Sequence, residues 1–144
     1  MKFYIANDHA GINIVKEVIK MLEDRGNEVE HIGAYDSQRV DYPDFAHNLC
    51  QKVNSHESSF GILICGTGIG MSLAANKHRG IRAALVHDSY TAQMARAHND
   101  ANVLCFGERV VGLGVVESII DTWIKTPFEG GRHASRVEKI EVVY

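Results

Sequence analysis

The stretch that decides the fold runs Phe60-Gly61-Ile62-Leu63-Ile64-Cys65-Gly66-Thr67-Gly68-Ile69-Gly70-Met71-Ser72. Phe60–Cys65 is a short apolar run rich in β-branched side chains, the pattern of a strand buried on both faces. It passes directly into alternating glycines, and a helical pattern continues over Met71–Asn76. Residues 58–76 carry no charge, which is long enough to raise the question of a membrane span. Gly61, Gly66, Gly68 and Gly70, with Thr67, Ser72 and Asn76, fit a strand, a turn and a helix start instead. A strand feeding a helix through a tight turn is the repeating unit of α/β proteins.

The same alternation extends in both directions. Lys2–Ala6 reads as a buried strand, followed by a helix with Ile14, Val15, Val18, Ile19 and Leu22 on one stripe and Gly26 just past its end. Glu28–Ile32 is a second strand, and the polar stretch Gly33–Tyr42 is the longest loop. Pro43 suits the first turn of a helix whose inner face is Ala46, Leu49, Cys50 and Val53. Beyond the glycine turn, Ile81–Val86 is a strand, Asp88 or Ser89 caps the next helix, and Asn102–Phe106 is a fifth strand. Val115, Val116, Ile119, Ile120 and Trp123 then share one face of a helix that stops before Pro127. Five strands alternating with helices predict an α/β fold, a single Rossmann-like three-layer αβα sandwich built on a five-stranded parallel sheet. Residues 1–144 are expected to form one domain, as their number allows. The tail, 128–144, is charged and then apolar again at Ile140 and Val143. It is expected to be a helix that packs on the body or at a subunit interface, although its β-branched end also suits a strand.

Composition narrows the function. With 45% hydrophobic and 23% charged residues, the chain is neither disordered nor fibrous. A net charge of −3 and a pI of about 6.2 give no basic field for nucleic acid, so an anionic ligand would need a local cluster of cations. Cys50, Cys65 and Cys105 lack the spacing of a zinc site and read as reduced thiols of a cytoplasmic protein. The opening MKFYIANDHAG is too polar for a signal peptide, and no membrane association is expected.

In parallel sheets ligands bind beyond the carboxyl ends of the strands, which places Asn7–Ala10, Gly66–Gly70 and His87–Ser89 on one rim. The glycines let backbone N–H groups of Gly66, Thr67, Gly68, Ile69 and Gly70 approach an anion. The same turn also works as a plain strand–helix connection. A dinucleotide fingerprint would need glycine at Met71, and a Walker loop would need Lys-Ser/Thr after its last glycine. Ser72 would lie inside the helix, unlike a hydrolase elbow. Cys65, at the lip of a helix N-terminus, has its thiolate stabilised and suits a base, or else is a small buried strand residue. Asp8 and His9 can exchange protons or bind hydroxyls and phosphate, and Asp8 can equally cap the first helix. His98 and Asn99 close a helix, where an imidazole can protonate a leaving oxygen and an amide can bind a sugar hydroxyl; as plain structure they are a favourable helix end. If the tail is helical, Arg132 and Arg136 lie four apart on one face, a pair of guanidinium forks suited to phosphate. Arg109 is a further candidate. For all three arginines a solvated basic surface is the competing reading. No metal-ligand grouping stands out.

Asp8-His9-Ala10-Gly11, Asp41-Tyr42-Pro43, Cys65-Gly66-Thr67-Gly68-Ile69-Gly70, Ala74-Ala75-Asn76-Lys77, His98-Asn99-Asp100, Phe106-Gly107-Glu108-Arg109-Val110-Val111-Gly112 and Glu129-Gly130-Gly131-Arg132-His133 occur in this order across nearly the whole chain. Together they resemble the ribose-5-phosphate isomerase B family, which also contains galactose-6-phosphate isomerases. The resemblance implies an aldose–ketose isomerase of the pentose phosphate pathway that interconverts ribose 5-phosphate and ribulose 5-phosphate through an enediolate, with no cofactor and no metal. It implies a homodimer or a dimer of dimers with active sites at the subunit boundary; the residues themselves hint at this only through the extra apolar segment Ile140–Val143. It also implies Cys65 as the base. Some members carry a glutamate just after the loop's last glycine, and here that place is Met71, which accepts no proton. By the same resemblance His98 opens the sugar ring with help from Asp8. Thr67 and the loop N–H groups hold the enediolate, and His9, Arg109, Arg132 and Arg136 hold the phosphate. A hexose 6-phosphate substrate is the nearest alternative. A non-catalytic flavodoxin-like phosphate- or nucleotide-binding module uses the same loop but gives Cys65 no work, and a cysteine hydrolase lacks a clear histidine partner placed after a Cys65 turn.

Overall fold

Strands and helices alternate along the chain in a computed structural model that describes residues 1–142. The strands are β1 (Lys2–Asn7), β2 (Glu28–His31), β3 (Ser59–Cys65), β4 (Ala83–Leu85) and β5 (Val103–Gly107). The helices are α1 (Ile12–Asp24), α2 (Tyr42–Ser55), α3 (Ile69–Ala75), α4 (Ser89–Asn99), α5 (Leu113–Lys125) and α6 (Ala134–Ile140). All strand pairs are parallel, in the order β2-β1-β3-β5-β4, with Asn7 opposite Ile64 and Cys65 opposite Gly107. The chain moves one way from β1 to β2 and the other way from β3 onward. The crevice where α/β sheets bind ligands therefore opens between the carboxyl ends of β1 and β3.

Successive strand residues point to opposite faces, and each face has its own core. Phe3, Ile5, Ile62, Ile64, Leu104 and Phe106 pack under α1, α4 and α5, where Val18, Leu22, Val116, Ile119, Ile120 and Trp123 are buried. Tyr4, Ala6, Leu63, Cys65, Val103 and Cys105 pack under α2 and α3 through Ala46, Leu49, Cys50, Met71 and Ala75. This is the three-layer αβα arrangement that the periodicities predict. Pro43 lies in the first turn of α2, and the Asp88 carboxylate caps α4 by accepting the Thr91 N–H at 2.7 Å.

Several local expectations are corrected. β4 spans only Ala83–Leu85, because side-chain amides take over at its start: Asn76 pairs with both backbone groups of Ala83 at 2.9 Å, and Asn102 Oδ1 accepts the Arg82 N–H at 2.8 Å. α3 begins at Ile69 rather than Met71, since Gly68 at φ +79° turns the chain early and accepts the Ser72 N–H at 3.1 Å. Val115 is 40% exposed and lies off the buried stripe of α5. α4 does end at Asn99, and the left-handed Asp100 follows it. Arg132 and Arg136 do not share one helix: Gly131–His133 is a 3₁₀ turn, and α6 starts at Ala134. The tail is helical there, and Glu141 fastens it to the body by accepting from the Gly80 N–H at 2.9 Å and from Arg82 at 2.6 Å. Val143 of the apolar tail segment lies outside the described residues, and Ile140 is 53% exposed.

Candidate active site

β3 delivers Cys65 to the crevice at the sheet's carboxyl end. Cys65 is 5% exposed, and its Sγ accepts the Gly68 N–H at 3.1 Å. That bond exists because Gly68 takes a left-handed turn that folds its amide back over the strand end. The two other thiols differ. Burial pushes Cys50 up to about 12 and Cys105 far above the usual thiol range, so both stay protonated. Cys65 alone of the three has a peptide N–H aimed at its sulfur. Thr67 is exposed beside it, and its hydroxyl accepts the Ile69 N–H at 3.3 Å while keeping its own proton to donate.

Across the crevice, β1 leads into Asp8, which is tied to β3 by its N–H to the Ile64 carbonyl at 3.2 Å. Asp8 Oδ1 accepts the Ala10 N–H at 2.9 Å, so the residue caps the 3₁₀ turn His9–Gly11. His9 Nδ1 accepts the Val40 N–H at 3.3 Å, which in the neutral ring leaves Nε2–H as a donor. From β5, the Glu108 N–H bonds the Cys65 carbonyl at 2.9 Å and the Arg109 N–H bonds the Gly66 carbonyl at 3.1 Å. The Arg109 guanidinium lies so close to Gly66 that a side-chain carbon there would come within 3.2 Å of Nη1. Glu108 turns away and caps α1 through the N–H groups of Asn13 and Ile14, both at 3.1 Å. Asp8, His9, Cys65, Gly66, Thr67, Gly68, Ile69, Gly70 and Arg109 thus share one end of the protomer.

His98, Asn99, Arg132 and Arg136 do not join them. α4 starts at the carboxyl end of β4 and runs back against the strands for about 16 Å, so its last residues lie at the opposite end of the sheet. Buried Arg96 fixes that end: it sits over the Phe60 and Trp123 rings and bonds Asp100 at 3.0 Å and the Ala101 carbonyl at 2.7 Å. The tail returns to the same place, with the Glu129 N–H on the Ala97 carbonyl at 3.0 Å. There His133, buried, stacks on His98 with centroids 4.2 Å apart and planes 12° apart. Glu129 Oε2 lies 3.8 Å from His98 Nε2 and 3.5 Å from His133 Nε2. Burial first, then the neighbouring His98 and Arg132, lowers the His133 imidazole from its ordinary value.

His98, Glu129 and His133 are the one trio of metal-capable side chains among the described residues, with donor atoms within 4.8 Å of one another. Stacked rings cannot aim in-plane lone pairs at one point, and Arg132 and Arg136 put positive charge beside them. The trio reads as a stacked pair of rings beside a carboxylate rather than an ion cage. His133 and Glu129 escaped the sequence reading as site residues. Their four-residue spacing across Gly130-Gly131 was the available signal. Tyr42 was also missed; its ring covers Gly70, where an added carbon would meet it at 2.6 Å.

Residues 3–140 match the sequence profile of the Ribose/Galactose Isomerase family. Ribose-5-phosphate isomerase B of Escherichia coli is 48% identical over 136 residues, covering 94% of this chain and 91% of that enzyme. The structure of ribose-5-phosphate isomerase B from Clostridium thermocellum superposes with a TM-score of 0.95 at 52% identity, covering 98% of this chain and 95% of that one. The type B ribose 5-phosphate isomerase of Trypanosoma brucei superposes with a TM-score of 0.94 at 50% identity, covering 97% and 96%. No helix among the described residues is long and apolar enough to cross a membrane.

Proposed function

Because the chain belongs to the ribose/galactose isomerase family, we propose that it interconverts ribose 5-phosphate and ribulose 5-phosphate, with Cys65 as the base. The observation that carries the role of Cys65 is the Gly68 N–H on its sulfur at 3.1 Å, in the crevice between β1 and β3. The peptide N–H orients the sulfur that takes the C2 proton, and the glycine loop offers further N–H groups to the enediolate oxygen that forms next.

The reaction starts from the furanose. His98 gives a proton to the ring oxygen while Asp8 takes one from the anomeric hydroxyl, and the aldehyde opens. The Cys65 thiolate then removes the proton from C2, leaving an enediolate held by the amides of Gly66–Gly70 and the Thr67 hydroxyl. Return of that proton to C1, with the O2 hydroxyl proton passing to O1, gives the ketose. Arg132, Arg136, His9 and Arg109 hold the phosphate, and Asn99 a sugar hydroxyl. Phosphate binding remote from C1 and C2 restricts the open chain and aligns C2 with sulfur.

Cys65 and His98 lie at opposite ends of one protomer, so this sequence of steps needs two copies of the chain. A homodimer that sets the His98 end of one copy on the Cys65 end of the other supplies it. Around the loop, Ile69 is 51% and Leu73 is 63% exposed, an apolar surface suited to cover by the second copy. The test combines an assay with complementation. Cys65→Ser and His98→Gln homodimers should each be nearly inactive on ribose 5-phosphate. Mixed after co-expression, they should regain about a quarter of wild-type activity, because half the dimers are mixed and each mixed dimer holds one intact site. No recovery refutes the shared site, and an active Cys65→Ser enzyme refutes the base.

A further inference from the structure

The stacked imidazoles His98 and His133 share Glu129 and no other carboxylate within salt-bridge distance among the described residues. Two rings with centroids 4.2 Å apart resist holding two positive charges together. Their surroundings differ. His133 is buried, and its Nε2 has Arg132 Nε and Glu129 Oε2 both at 3.5 Å. His98 is half-exposed and sits in the last turn of α4, where the helix carbonyls favour a cation. The charges acting on the pair are Glu129, Arg132 and Arg136 from the tail, and the lowering of His133 by burial, His98 and the arginines agrees with a neutral ring there. On α4 itself, Arg96 and Asp100 are paired with each other.

We propose that Glu129 is a positioning residue that keeps the one extra proton of the His98–His133 pair on His98, with His133 as its neutral stacking partner. The use of that proton, ring opening, rests on the role given to His98 above. Glu129 contacts no reacting atom in this scheme. It is held by its own N–H on Ala97, one residue before His98, which sets the carboxylate beside the ring it serves.

The two halves of the reaction can be read separately. Ribulose 5-phosphate has its fifth oxygen esterified and closes no five-membered ring, so exchange of its C1 hydrogen with deuterium oxide needs the base but no ring opening. In Glu129→Gln, we expect the NMR titration midpoint of His98 to fall by about one pH unit, and with it the alkaline limb of kcat/KM for ribose 5-phosphate. Turnover of ribose 5-phosphate above that limb falls about tenfold, while deuterium exchange into ribulose 5-phosphate keeps its wild-type rate. An unmoved His98 midpoint overturns the proposal, and so does an equal loss of turnover and exchange, which marks a merely structural residue. If the midpoint moves but His98→Gln still turns over ribose 5-phosphate, the proton assignment stands and the ring-opening role of His98 falls.

Discussion

Replacing Gly68 by alanine tests the link between the loop's backbone and the sulfur. Gly68 has φ +79°, a conformation that costs an L-residue about 1–2 kcal/mol. A carbon added there would meet Leu85 Cδ1 at 2.7 Å and the Phe106 backbone at 2.8 and 2.9 Å. Leu85 can turn aside, but Phe106 belongs to β5 in the middle of the sheet and cannot, so overpacking adds about 1–3 kcal/mol. The sum is about 3 kcal/mol. Unfolding entropy for 144 residues is about 0.3 kcal/mol/K, so Tm should fall by about 10 °C at fixed protein concentration. The loop must lift off β5 to relieve the clash, and its amide then leaves Cys65 Sγ. Loss of one such donor lowers turnover about a hundredfold. The assay is ribulose 5-phosphate formation at saturating substrate, beside a thermal melt, with Gly114→Ala as the control. Gly114 lies exposed in the first turn of α5 with nothing near an added carbon, so alanine there should leave activity intact and raise stability by up to about 1 kcal/mol. A Gly68→Ala enzyme with turnover within about threefold of wild type refutes the role given to the bond, whatever its melting temperature.

Arg136→Ala should raise KM for ribose 5-phosphate more than it lowers kcat, because phosphate is held equally in substrate and transition state; equal loss in both constants would place Arg136 at the reacting atoms. Stability should fall on acidification from pH 7 to 5. Burial lowers His31 and, with His47 beside it, His78, and it lowers His133 as well. In this window the unfolded chain, with ordinary imidazoles near 6.5, binds more protons than the folded one, so stability is full above that value and is lost toward the lower folded values. Urea melts at the two pH values check this, and a midpoint that rises at pH 5 contradicts it. Treatment with a strong chelator should leave the rate on ribose 5-phosphate unchanged, and recovery of a lost rate by an added divalent ion would reverse that reading.

The layers of the fold are legible because each periodicity belongs to one kind of surface. Ile14, Val15, Val18 and Leu22 repeat at helical spacing and are buried under one sheet face. Leu63 and Cys65 alternate with Ile62 and Ile64 and serve two different cores. What pattern reading missed is set by contacts between distant segments. The amides of Asn76 and Asn102 shorten β4, and no local spacing announces that. His133 reads as part of a charged tail, yet it is buried on His98, because Glu141 ties that tail to the start of β4 and Glu129 ties it to the end of α4 rather than to the crevice.

The residues offer a candidate site as a set of side chains and not as a place. The parallel sheet supplies the reason. A helix that joins two parallel strands must return from the carboxyl end of one to the amino end of the next, so its last turn lies a strand's length from its first. Asp88 at the start of α4 therefore stands on the Cys65 rim, and His98 at its end stands on the other. Any mechanism that joins Cys65 to His98 is then a statement about two chains, independent of the exposed Ile140 that first suggested a partner. A substitution at the α4 C-terminus that leaves the protomer folded should abolish turnover in the chain opposite and spare a site whose His98 comes from an unaltered copy. Failure of that cross-chain pattern would mean that the ring proton comes from the Cys65 rim itself, where Asp8 and His9 are the groups able to supply it.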